Sequence, residues 1–479
     1  MSTANATISS YEETRALLIT AGVVLLSFAF FIGLALAREF VLINYMLPVF
    51  LVGIGAWLYA THPPYFIGFL LWAYLISPFL RRVLDYAVGE FSTRSTMSVA
   101  PVIIGGLLGL TFIRFSAHLR KDDVRPFLYI AIGVLYGFMI GIVKVGAFSA
   151  TWDLFNYLFP LFIGIQFTIF WQDYPRYVRV FRSVLIWMVP ILGTYAAYQY
   201  FFAPPWDMFW LEESGMTSSM GKAEATEFRV FSTLNATGPF AIIMMAGLLA
   251  LFDGKGLMAR LSALPGYGSF LLTLVRAAWG GWLVALCIII VRFRSRLRQR
   301  LVVVLLVGAV FVTPAMFVGP IADSVNSRME SIGSLEDDGS ASARIGLFQT
   351  ASRTVLTDPI GQGLGSLGTA AKLSTGSTVN FDSGILAIPV TLGWPGTILF
   401  IMGVVSLLRI TVPLTLDNTD QFAIILNAIA CAFLTMMVFA NQITSIKGVI
   451  VWGCLGLAVA SKRYYSHYPH LKPEQHISS

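Results

Sequence analysis

Charge is what this chain has least of. Only 32 of its 479 residues are Lys or Arg and 25 are Asp or Glu, 12% together, about half of what a soluble domain carries. So little charge cannot cover a water-facing exterior, which excludes the ordinary soluble enzyme and the nucleic-acid module. Cysteine is nearly missing as well. Cys287, Cys431 and Cys454 each lie inside an apolar block at no metal or disulfide spacing and read as packing residues. Also absent is a basic stretch ahead of the first apolar run: MSTANATISSYEETR carries acidic residues, so 17–37 reads as a retained span and not a cleaved signal.

What is abundant is apolar. Hydrophobic residues make up 57% of the chain, with 37 Phe and 42 Gly, and their blocks recur almost from end to end. Candidate spans are 17–37, 40–60, 64–80, 97–113, 126–143, 154–171, 184–203, 238–252, 261–275, 277–291, 301–318, 384–408, 420–440 and 447–461. Several are shorter than an untilted crossing requires, so the expectation is an all-α polytopic membrane protein of about 11 to 14 transmembrane helices. The organisation expected is N-terminal spans over 1–203, an outer loop over 204–237, central spans over 238–318, a large outer loop over 319–383, and C-terminal spans with a cytoplasmic tail over 384–479.

Basic loops give the orientation. The clusters Arg114, Arg120, Lys121, Arg125, then Arg176, Arg179, Arg182, then the run from Arg292 to Arg300, are short and positive. They belong on the cytoplasmic side, as do Lys462 and Arg463. The net charge of +7 is of the kind such loops bring and does not indicate nucleic acid. Residues 257–291 look like one stretch, but one crossing would put Lys255 and Arg260 opposite the run after Arg292. Division at Arg276 resolves this, with that arginine at the outer face.

The loops 204–237 and 319–383 then share the outer side. The second, about 65 residues, is long for a mere connection and reads as a lid or a disordered insert. Within it, ARIGLFQTASRTVL fits an interfacial helix with Ile345, Phe348, Ala351, Ser352 and Val355 on its apolar face. Gly361, Gly363, Gly365 and Gly368 follow as a turn-rich strip.

Arg229 and Arg276 stand at span ends on this outer side, with Arg344 and Arg353 in the long loop. Snorkelling to headgroups, or pairing of Arg229 with Glu224 or Glu227, is one reading. The other is a phosphate clamp, because guanidinium forks match phosphate oxygens and stay charged. Asp382 and Ser383 precede the span at Gly384. Asp382 suits a helix N-cap, or a general base for a sugar hydroxyl.

At these residues the chain resembles the O-antigen ligase and polysaccharide polymerase family of bacterial inner-membrane proteins. The matching segments are RVFSTLNATGPFA at Arg229, LTLVRAAWGGWL at Arg276, ARIGLFQTASRTVLTDPIGQGLGS, and DSGIL followed by Gly393 and Gly396, over roughly 225–400. The resemblance implies a glycosyltransferase C-like membrane bundle. Its active site would lie on the periplasmic face, with an undecaprenyl diphosphate-linked oligosaccharide as donor, membrane lipids around it, and neither metal nor other cofactor. Chain-length regulators or a flippase are implied partners. Arg229, Arg276 and Arg344 would bind the donor diphosphate, and Asp382 with Arg276 would be catalytic. Arg353, Asn235 and Ser383 would be auxiliary.

Ligases of this family carry a histidine before Asn where this chain has Asp382 and Ser383, and STLNATGP separates Asn235 from Pro239 where relatives have Pro-Asn. The aspartate favours a polymerase joining repeat units, by an inverting transfer, over a ligase that joins polymer to the lipid A core. A transporter of lipid-linked or anionic solutes is the alternative from another class, although the chain has no evident internal repeat.

Overall fold

The computed structural model describes residues 22, 33–34, 37–92, 95–117, 121–254, 257–292, 346, 349–350, 352–375, 383–412 and 420–471. Its order opens with α1 (Phe40–Thr61), α2 (Pro63–Val88), α3 (Thr96–Gly106), α4 (Leu108–Arg114), α5 (Arg125–Lys144), α6 (Ala147–Ile169) and α7 (Tyr174–Phe202). Next come the short α8 (Pro205–Glu213) and α9 (Thr217–Met220), then α10 (Thr237–Ala250), α11 (Leu257–Leu272) and α12 (Arg276–Arg292). The described order closes with α13 (Gly368–Thr375), α14 (Gly384–Thr411), α15 (Gln421–Thr435) and α16 (Ser445–His467). Among the described residues, eight helical stretches are long and apolar enough to cross a membrane. The chain is an all-α multi-pass membrane protein. Spans 17–37 and 301–318 fall almost wholly outside the described residues.

In lipid the hydrophobic effect gives helices no reason to associate, so close packing must supply it. Small residues therefore mark the crossings. A Cβ on Gly133 of α5 would lie 2.5 Å from the carbonyl oxygen of Gly396 in α14, and one on Gly456 of α16 would lie 2.6 Å from Cα of Gly164 in α6. Helix α14 is not continuous. Gly393 takes φ 61° and ψ 179°, and Pro395 follows it. A proline lacks the N–H that would close the turn below it, so carbonyls and amides are released around it.

The helices collect their charged residues at two ends. At one, Arg182 of α7 pairs with Asp253 at 3.0 Å and Arg463 of α16 with Asp123 at 3.6 Å. At the same end Asp420 caps α15 through the amides of Phe422 and Ala423 and accepts from Ser461 at 2.9 Å. At the other end lie Lys144, the segment 204–237, the break between α11 and α12, and the start of α14. The 257–291 stretch is divided where the charge rule places the division: α11 stops at Leu272 and α12 starts at Arg276.

Candidate functional site

The break between α11 and α12 is three residues long and strained, with Leu274 at φ 53°. Its carbonyls find donors in Arg229. The guanidinium donates from Nε to Thr273 O at 2.9 Å, from Nη2 to Leu274 O at 3.3 Å and from Nη1 to Ser219 O at 3.3 Å. Around it, Arg229 N donates to Met220 O at 2.7 Å and Val230 N to Leu272 O at 3.4 Å. The nearby carboxylate of Glu227 is engaged by Lys222 at 2.7 Å. Arg229 thus braces the turn that puts half-buried Arg276 first in α12. A helix N-terminus concentrates partial positive charge from its unsatisfied amides, and an arginine there adds to it.

Ser383 reaches the same region from α14. Its hydroxyl accepts from Leu386 N at 3.4 Å, so the N-cap is Ser383 and not Asp382, as the extended backbone at Ser383 requires. Two glycines join this helix start to α12. A Cβ on Gly281, about 7.5 Å along α12 from Arg276 at 1.5 Å per residue, would sit 2.6 Å from Met436 Sδ. One on Gly384 would sit 2.8 Å from Met437 Cε and 2.7 Å from Ala440 O. The short 3₁₀ turn Met436–Val438 therefore packs against both α12 and the start of α14. Beyond it, Asn441 Nδ2 donates to Tyr157 OH at 2.7 Å, and Lys447 donates to Asn441 O.

The glycine strip is an inserted strap. Gly361, Gly363, Gly365 and Gly368 all have positive φ, and the strap runs between α5, α6 and the kink of α14. Gln362 N donates to Val390 O at 2.7 Å and Trp394 N to Pro359 O at 2.8 Å, so the strap satisfies backbone groups near the kink. Leu364 N donates to Gly137 O at 2.9 Å and Gly365 N to Asp153 Oδ2 at 2.9 Å. Lys144 closes one end on Asp358 Oδ2 at 2.7 Å and Gly361 O at 2.8 Å. The hydrogen bond from Lys144 holds the Asp358 carboxyl below its ordinary range.

Residues 352–357 ahead of the strap are helical, with Val355 buried, Ser352 half-buried and Arg353 exposed. The carbonyl of Val355 accepts from Trp394 Nε1 at 3.0 Å. Asp382, Arg344, Ile345, Phe348 and Ala351 lie outside the described residues.

Sequence reasoning missed the support of this site. Arg82 of α2, fully buried, donates from Nε to Asp207 Oδ1 at 2.7 Å, to the carbonyls of Ser232 and Leu234, and to Asn235 Oδ1 at 3.2 Å. Asp207, also fully buried, accepts at Oδ2 from Tyr195 OH and Gln199 Nε2, both at 2.7 Å. Gln199 Oε1 accepts from the amides of Phe231 and Ser232 at 3.1 and 2.9 Å. The available signal is two adjacent arginines, Arg81 and Arg82, just past the span 64–80. Among the described residues, no three of His, Cys, Asp or Glu gather as a metal-holding set.

With this geometry, the comparison with known proteins falls into place. Residues 261–401 match the family model described as O-antigen ligase, the stretch that holds Arg276, Arg344, Arg353, Asp382 and Ser383. That match supports the O-antigen ligase and polymerase family for this chain. No curated protein matches it.

Proposed function

We propose that the chain is a polysaccharide polymerase of the bacterial inner membrane. It transfers a glycan from undecaprenyl diphosphate to a hydroxyl of a second lipid-linked repeat unit. The observation that carries this reading is that α12, which opens at Arg276 and packs through Gly281, and the capped start of α14, which packs through Gly384, both lie against the turn Met436–Val438. Two helix N-termini and an arginine concentrate positive potential where a diphosphate would lie. The end opposite carries Arg182, Lys462 and Arg463, so by the charge rule the Arg276 end faces the periplasm.

The acceptor hydroxyl oxygen attacks the anomeric carbon as the bond from that carbon to the diphosphate oxygen breaks. The hydroxyl proton passes to the carboxylate of Asp382, and the diphosphate leaves with its electron pair. Charge grows on the leaving oxygen, and Arg276, with Arg344, stabilises it more in the transition state than in the ground state. One displacement inverts the anomeric configuration. Ser383 fills the cap role, which leaves the Asp382 carboxylate to act as base. Arg229 serves chiefly by fixing the turn before Arg276. Chain-length regulators and a flippase remain its proposed partners.

Deletion with glycan analysis tests this. Single repeat units accumulating on the carrier lipid are expected. A finished polymer stranded on the carrier would instead assign the ligase reaction, and an unaltered glycan profile would remove both.

A further inference from the structure

The fully buried pair Arg82 and Asp207 has no part in the transfer step described above. A buried ion pair is often replaceable by apolar residues without loss of stability, because desolvation offsets its attraction. Here, however, Arg82 is spent on one irregular segment. Residues 229–235 have no helix of their own, and Ser232 sits at φ 52°. Their carbonyls and amides need partners from elsewhere. Arg82 takes the carbonyls of Ser232 and Leu234 and the side chain of Asn235. Gln199, held by Asp207, takes the amides of Phe231 and Ser232. Ser232 Oγ donates to Leu192 O at 2.7 Å, and the Arg82 guanidinium lies 5.0 Å from the centre of the Phe231 ring.

The far half of the same segment is Arg229, which grips Thr273 O and Leu274 O. An unbroken series of hydrogen bonds and short covalent steps therefore runs from Asp207 and Arg82, through residues 229–235, to the residue that opens α12. We propose that Arg82 and Asp207 are positioning residues of the transfer site, setting the place of Arg276 through the segment 229–235. This rests on the transferase reading above. Both residues lie outside the matched stretch 261–401, and neither is assigned contact with the substrate. Lysine at position 82 keeps the charge but lacks the fork that reaches several acceptors at once.

The test uses the full chain in vesicles of phosphatidylethanolamine and phosphatidylglycerol. Its substrate is lipid-linked oligosaccharide extracted from a deletion strain. Arg82→Lys is expected to lower kcat about 100-fold, the scale of an ångström misplacement, while the donor KM changes by less than about three-fold. In an Arg276→Lys background with residual activity, Arg82→Lys is expected to remove less than about three-fold more, because the two act through one element. An equal loss in both backgrounds marks a purely structural role and overturns the proposal, as does an unchanged kcat. If Arg82→Lys is not recovered folded by size-exclusion chromatography, the isosteric Asp207→Asn and the milder Asn235→Ala run the same cycle. Absence of transfer by the unmodified chain would sink the transferase reading instead, a result distinct from any variant effect.

Discussion

Ser383 and Asp382 sit one residue apart and separate two kinds of contribution. Ser383 caps α14, so Ser383→Ala should cost about 1 kcal/mol of stability, read as a lower thermal midpoint with transfer otherwise intact. Asp382→Asn removes the proposed base while leaving that cap in place. Normal insertion with transfer reduced at least about 100-fold, the range of general-base loss, is expected, and full activity would end the assignment. Arg276→Ala should likewise leave the protein in the membrane and stop elongation, seen as loss of polymer on a glycan gel. The sequence marked Arg276 because a charge at a span boundary stands out. It missed Arg82, whose partners Asp207 and Ser232 are over a hundred residues away.

Strap and kink belong together. Val390 O and Trp394 N, beside Gly393, bond the strap, and a Cβ on Gly363 would overlap the backbone nitrogen of Gly141. Gly363→Ala combines that overlap with φ 86°, so a loss of about 1–3 kcal/mol or more is expected. Faster amide exchange at residues 358–368 would report it. The Lys144–Asp358 pair is partly exposed and such pairs contribute about 0–1 kcal/mol, less than the strap's backbone bonds together. Lys144→Met should therefore loosen the strap only slightly. Because the bond from Lys144 depresses the Asp358 carboxyl, its contribution is complete above the ordinary aspartate value of about 4. It is lost only as pH falls through the lower folded value. Exchange at the Gly361 amide, which donates to Asp358 itself, should, corrected for intrinsic rate, stay flat from about pH 5 to 8, and a rise within that window would contradict the assignment. The glycine spacing announced turns, but their docking on α5 and α14 was illegible, because the bonded groups belong to distant helices.

Across the whole molecule, the two ends carry different chemistry. Single cysteines at positions 222 and 441 should react with an impermeant maleimide from the periplasm, and cysteines at 179 and 462 only after the membrane is opened. Labelling of 222 from the cytoplasm would reverse the orientation and remove the periplasmic site. The crossings at Gly133 with Gly396 and Gly164 with Gly456 hold the bundle on which both ends depend. Bulkier residues there should lower expression of folded chain before they touch catalysis.

Composition, periodicity and loop charge determined the membrane class, most span positions and the division at Arg276. They could do so because burial in lipid and loop charge act on local stretches of chain. Only the tertiary structure decided that Arg229 braces a turn, that Ser383 takes the cap, that α14 breaks at Gly393 to receive the strap, and that Arg82 and Asp207 anchor residues 229–235. Each of these depends on a hydrogen-bond partner far along the chain, and no local pattern encodes which distant carbonyl a buried donor will meet.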